Sequence, residues 1–163
     1  MLTTNMLSAL NEQMGVEKLA ELTYNQIRIW GEVNGWKGLA KWCEKSQHSE
    51  HDDSHEVWEH VKDNGGYPVY PAIPAPRSAF TDLPDIFAYV VQIEEQNLAR
   101  INGLCDLAAT EHDYASADFL QDFLADQIDS VQTCRLLAKR AMAAAGHETA
   151  LRMLDKHLRK ANP

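Results

Sequence analysis

Gly65-Gly66-Tyr67-Pro68-Val69-Tyr70-Pro71-Ala72-Ile73-Pro74-Ala75-Pro76-Arg77-Ser78-Ala79-Phe80-Thr81-Asp82-Leu83, followed by Pro84, holds five of the chain's six prolines. Such a run cannot be helix, because proline lacks the amide hydrogen and clashes with the preceding turn. On either side the apolar residues recur at helical spacing. About 17 residues of extended, proline-stiffened chain at roughly 3.1 Å each cover a little over 50 Å. A helix of about 28 residues is only about 42 Å long, so this segment is able to travel the whole length of a helical bundle. Structureless loops of this length are rare in compact domains unless they do such a job. The segment therefore reads as a crossover, at about residues 65–82, that makes the second and third helices parallel.

Four long helices are predicted around it. The first carries Leu7, Leu10, Met14, Ala20, Tyr24 and Ile27, the second Leu39, Trp42, Ser46, Val57 and Val61. The third carries Phe87, Val90, Val91, Leu98, Ile101, Leu104 and Cys105, the fourth Leu120, Phe123, Leu124, Val131, Cys134 and Leu137. Short joints at Asn34-Gly35 and near Glu111 to Asp113 make hairpins of the remaining neighbours. The predicted fold is all-α, an up-up-down-down four-helix bundle over about residues 6–144. After Gly146, the leucines at 151, 154 and 158 give a short fifth helix at about residues 147–160. Nothing in the bundle is obviously left to cover its stripe, so it is expected to pack against other subunits.

Each long stripe is interrupted near its middle by a group able to bind metal. These are Glu17 in the first, Glu50 with Asp53 in the second, Glu94 in the third, and Gln127 with Ser130 in the fourth. The i,i+3 spacing of Glu50 and Asp53 places both carboxylates on one side of their helix. A single glutamate on an apolar stripe is ordinarily an edge residue or half of an internal ion pair. Four interruptions at similar depth are another matter, since each buried carboxylate costs several kcal/mol unless compensated, and divalent cations compensate several at once. Asp53 has a second reading, as a cap or an ion-pair partner.

The 163 residues, 45% hydrophobic and 24% charged, suit one domain spanning 1–163. The net charge of −9 argues against nonspecific nucleic-acid binding and for attraction of cations. No apolar run approaches a membrane span and no signal-peptide pattern begins the chain, so a cytoplasmic protein without membrane partners is expected. Cys43, Cys105 and Cys134 are odd in number and widely spaced, which points away from disulfides. There is no GxGxxG, GxxxxGK[ST] or HExxH motif.

With helix lengths, crossover and inner carboxylates in place, the chain resembles bacterial non-haem ferritin over nearly its full length. The likeness rests on Leu10-Asn11-Glu12-Gln13-Met14 with Glu17 and Tyr24, the turn from Trp30 to Gly38, Gly65 with Pro68, and Glu94. Phe119-Leu120-Gln121, Asp126-Gln127 and Leu154-Asp155-Lys156 continue it. The resemblance implies a homo-oligomeric cage of 24 subunits, a diiron ferroxidase centre in each, and a stored ferric mineral. Fe2+ and dioxygen, or hydrogen peroxide, would be the substrates. By the same resemblance Glu17 and Glu50 hold the first iron, Glu50 bridges to a second held by Glu94, and Gln127 and Tyr24 hydrogen-bond around them.

Two positions depart from the family pattern. A histidine ordinarily stands three residues after the second-helix glutamate, where this chain has Asp53. Ser49 and Ser130 stand where carboxylates are usual, leaving Asp126 and Asp129 as shorter substitutes, which puts a third iron site in doubt. Glu17, Glu50, Asp53 and Glu94 still supply four inner anions, enough to balance two divalent ions. Oxygen donors favour ferric over ferrous iron, so altered kinetics are expected. A catalytically weak storage subunit that mineralises iron on acidic cavity residues is the alternative.

Haem is not expected, because the stretch matching the haem-ligating methionine of bacterioferritins reads His51-Asp52-Asp53-Ser54. A DNA-protecting miniferritin would often carry a basic tail, whereas the one here, Arg152 to Pro163, is short. Diiron oxygenases would show paired ExxH motifs, and the chain has neither in full. His48, His51 and His55 form an outer stripe, read either as an iron-binding cavity face or as a solvated one. Asp118 and Asp122 are read either as an entry channel or as ordinary acidic residues near a helix start.

Overall fold

The computed structural model describes residues 1–161 and 163. Helix α1 spans Thr4–Val33, α2 Lys37–Asp63, α3 Leu83–Glu111, α4 Tyr114–Ala143 and α5 Glu148–Leu158. No strand occurs among the described residues. The predicted helices and the crossover are present, with ends shifted by one or two residues.

Local chemistry sets the helix starts. Thr3 accepts from the Met6 amide, Asp82 from the Asp85 amide with Pro84 in the first turn, and Asp113 from the Ser116 amide. Helix α2 has no such cap of its own at Trp36. Asp155, on α5, accepts from the Leu39 amide at 2.8 Å instead. At Gly38 an added Cβ would fall 1.6 Å from the Asp155 carbonyl oxygen, so only glycine lets α5 come this near.

That contact corrects one expectation. The α5 stripe is covered by its own chain: Leu158 is fully buried, and Leu151 and Leu154 nearly so, in the cluster containing Trp36, Leu39 and Trp42. The groove that receives it forms only when the α1–α2 turn brings Trp36 and Gly38 to the bundle end. No sequence neighbour of α5 reveals it.

Pairings across the bundle fix the directions. Gln13 meets Asn97 and Tyr24 meets Glu94, so α1 and α3 are antiparallel. Ser54 reaches the Met14 carbonyl and His51 lies beside Glu21, so α1 and α2 are antiparallel too. Helices α2 and α3 are consequently parallel, as the crossover requires. In chain order the rods run up, down, down, up, which replaces the up-up-down-down order, because each short joint reverses direction and only the crossover preserves it.

The crossover lies along α1 and α2. Its Val69 amide donates to Asn11 Oδ1 at 3.0 Å, and the Tyr70 and Ser54 hydroxyls are 2.8 Å apart. The Pro71 ring fills the notch at Gly15, where a Cβ would stand 2.4 Å from its Cγ. Arg77 closes the far end with two 2.8 Å bonds to Asp85.

The interior is two apolar clusters separated by a polar section. One gathers Tyr24, Ile27, Trp42, Phe87 and Leu137, the other Met6, Leu10, Val57, Ile101 and Leu120. Each fully buried large apolar side chain contributes about 1.5–3 kcal/mol, enough in sum to tolerate unfavourable burial between them. Cys43, Cys105 and Cys134 are free thiols, and Cys43 and Cys134 are buried. No helix among the described residues is long and apolar enough to cross a membrane.

Candidate metal centre

Glu17, Glu50 and Glu94, from α1, α2 and α3, meet in the polar section with only 1%, 7% and 3% of their surface exposed. Their helical stripes force this: the apolar residues above and below each glutamate are buried, and the glutamate on the same face goes in with them. None of the three forms an ion pair with lysine, arginine or histidine among the described residues.

Amides and a phenol hold the carboxylates in place. Asn97 Nδ2 donates to both Glu17 oxygens, at 3.2 and 3.0 Å, and to Gln127 Oε1 at 3.0 Å. Gln13 Nε2 donates to Glu17 and, at 2.7 Å, to Asn97 Oδ1. Glu94 accepts from the Tyr24 hydroxyl and, at 2.7 Å, from Gln127 Nε2. Cys134 Sγ lies 4.0 Å from the Tyr24 hydroxyl.

Burial without a counter-charge governs the proton affinities. Desolvation, reinforced by Asp53 and Glu94, pushes the Glu17 carboxyl up to about 8 even though Gln13 and Asn97 oppose it. Desolvation and the facing Glu94 and Glu17 hold Glu50 well above the usual carboxylate range. Glu94 is raised by desolvation against the pull of Tyr24 and Gln127. Desolvation and the charges of Glu56 and Asp126 push Asp53, which is only partly buried, up to about 7. Such a set favours either protons or cations.

Sequence-predicted residues divide into two groups. Glu17, Glu50, Glu94, Tyr24 and Gln127 share the polar section. Asp53 and Asp126 face a neighbouring cavity of about 100 Å³ that also touches Ser49, Gln127 and Ser130. Asp129 is exposed and outside that lining. Among the described residues no three acidic, histidine or cysteine side chains form a ready-made ion site. The reason lies in the hydrogen bonds: Glu17 is drawn toward Gln13 and Asn97, Glu94 toward Tyr24 and Gln127.

Two members of the section, Gln13 and Asn97, escaped the sequence reading. Asn97 lies three residues after Glu94 and Gln13 four before Glu17, spacings that place each on its glutamate's face. His48, His51 and His55 are exposed, with His51 Nδ1 3.4 Å from Glu21 and His55 edge-on to Trp58. Asp118 and Asp122 are exposed on α4.

The model of the ferritin-like domain matches residues 7–142, which take in all but the outermost few residues of the four long helices. The chain belongs to the ferritin-like domain family. Among its ferritin relatives is a bacterial non-heme ferritin of Staphylococcus saprophyticus, 30% identical over 129 residues, covering 79% of this chain and 77% of that protein. A bacterial non-heme ferritin of Escherichia coli is 25% identical over 158 residues, covering 97% and 96%. An open pore ferritin from Archaeoglobus fulgidus superposes with a TM-score of 0.96 at 24% identity, covering 99% of this chain and 100% of that one. A humanized archaeal ferritin superposes equally well, also at 24% identity. Both structures share the ferritin fold, the short terminal helix included in the covered length.

Proposed function

We propose that this ferritin-like protein stores iron: Fe2+ binds in the polar section of the bundle, is oxidised there by dioxygen, and is deposited as ferric mineral inside a cage of 24 chains. The observation that carries the reading is the burial of Glu17, Glu50 and Glu94 together without a basic partner. All are oxygen donors, which suit hard divalent and trivalent iron. Iron is the substrate of this centre and the mineral its cargo.

The side chains position and neutralise. Glu50, between Glu17 and Glu94, is the bridging carboxylate; Glu17 and Glu94 each hold one ion, and Asp53 adds a fourth anion at the cavity edge. Gln13, Asn97, Tyr24 and Gln127 orient the two outer carboxylates through both oxygens of each, so a bound ion replaces part of these hydrogen bonds. Cation binding competes with the protons that burial favours on Glu17 and Glu50. Two Fe2+ then yield one electron each, and dioxygen with two protons becomes hydrogen peroxide, leaving two Fe3+.

Asp53, in place of the family's histidine, favours the ferric product and slows its departure. The alternative, a storage subunit with little oxidase activity, draws on the absence of a closed ligand set among the described residues. Anaerobic protein loaded with two ferrous ions per chain and then mixed with oxygen separates the two. Oxidation faster than in protein-free buffer is expected; the buffer rate would leave only the storage reading.

A further inference from the structure

The polar section is reached from two opposite sides of the bundle, and the two approaches differ in chemistry. Between α2 and α4, the least closely packed neighbours, lies the cavity of Asp53, Asp126, Ser49 and Ser130. Its carboxylates attract cations. Between α1 and α3 lies a second cavity, of about 150 Å³, walled by Val16, Leu19, Ala20 and Ile93. Its inner end touches Glu94 and Asn97.

Gln96 and Arg100 line the same cavity and are exposed, so it communicates with the surface beside a guanidinium. Arg100 forms no ion pair among the described residues. A ferrous ion approaching there meets like charge at the mouth and then mainly aliphatic walls, with Thr23 and Tyr89 as neutral polar neighbours and no carboxylate before Glu94. A small neutral molecule meets neither obstacle, and an apolar gas is more soluble against such walls than in water.

We infer that the α1/α3 cavity admits the oxidant, dioxygen passing between Val16, Ala20 and Ile93 to the Glu94 side of the centre, while cations enter by the α2/α4 side. This rests on the oxidase reading above and adds a division of routes to it. Ala20 and Ile93 set the clearance. Neither holds metal, so blocking the passage leaves the ion ligands in place.

Two measurements test it. Crystals of the native protein under xenon, a dioxygen-sized apolar probe, should show anomalous density bounded by Val16, Ala20 and Ile93, and crystals of Ala20→Phe should not. In rapid mixing of iron-loaded anaerobic protein with oxygen, Ala20→Phe, or Ile93→Phe from the opposite wall, should slow the oxygen-dependent step by about tenfold. Anaerobic Fe2+ and Co2+ titrations of the same variants should match the native protein. A cavity that takes up no xenon overturns the inference, as do plugged variants that oxidise at the native rate or lose cation binding. A native protein no faster than buffer would instead overturn the oxidase reading and this route with it.

Discussion

Asn97 spans Glu17 and Gln127, donating to both carboxylate oxygens of the former and to the amide oxygen of the latter. It is the link between α1, α3 and α4 at the level of the centre. Replacing it with leucine leaves buried acceptors without their donor, a loss of about 1–3 kcal/mol. Urea unfolding of cation-free Asn97→Leu should show that fall, and an unchanged midpoint would contradict the linking role.

Glu17 and Asp53 hold protons more tightly in the folded chain, at about 8 and about 7, than at their ordinary values of 4.5 and 3.8. Below both unfolded values the two states are equally protonated. As pH rises from there toward 8 the unfolded chain releases first, so folded stability from these groups declines across that window and then levels off. Half-buried His60, whose proton affinity is lowered by desolvation, acts in the opposite sense. The comparison with Glu17→Gln cancels it: the native midpoint should fall more between pH 5 and pH 8 than the variant's. Manganese should flatten the native slope.

Glu50→Gln keeps the shape of the side chain proposed to bridge the two ions and removes its ability to carry charge. The cation-free protein should be as stable as native or more so, because a neutral amide avoids the penalty that burial places on the ionised carboxylate. Iron oxidation should drop by at least about tenfold, the scale of losing one well-placed electrostatic contribution. Parallel anaerobic titration, showing fewer ions bound per chain, distinguishes lost binding from a folding defect.

Asp53→His supplies the nitrogen donor usual in the family. Turnover in repeated iron additions should rise several-fold over native, since a neutral ligand holds ferric product less tightly. Equal rates in the first and later additions for both proteins would remove Asp53 from the centre.

Asp155→Ala removes the α2 cap and should cost about 0.5–2 kcal/mol. Gly38→Ala forces α5 off its seat by steric conflict with the Asp155 carbonyl and should cost more. Thermal melts rank the two, and a smaller effect for Gly38→Ala would contradict the seating described.

The long rods and the crossover were readable because both signals are local: stripes at a period near 3.6, and prolines confined to one gap. The inward glutamates were readable for the same reason, each sitting on a stripe. Gln13 and Asn97 were not, because a neutral amide on an inner face looks like the margin of the polar side until its partner on another helix is known. The seat of α5 was hidden for a related reason. Trp36 and Gly38 create it only after the first hairpin closes, more than a hundred residues earlier in the chain. The direction of the rods needed counting reversals, which stripes do not record.

The division of the apolar interior by a layer of acids and amides places the softest part of each long rod at mid-length. Helices ordinarily loosen from their tips; here the tips are clamped by tryptophan and phenylalanine at one end and by methionine, leucine and valine at the other. Amide hydrogens near residues 17, 50, 94 and 127 should therefore exchange with solvent sooner than those several turns away on either side. The bundle breathes at its waist, among its buried carboxylates.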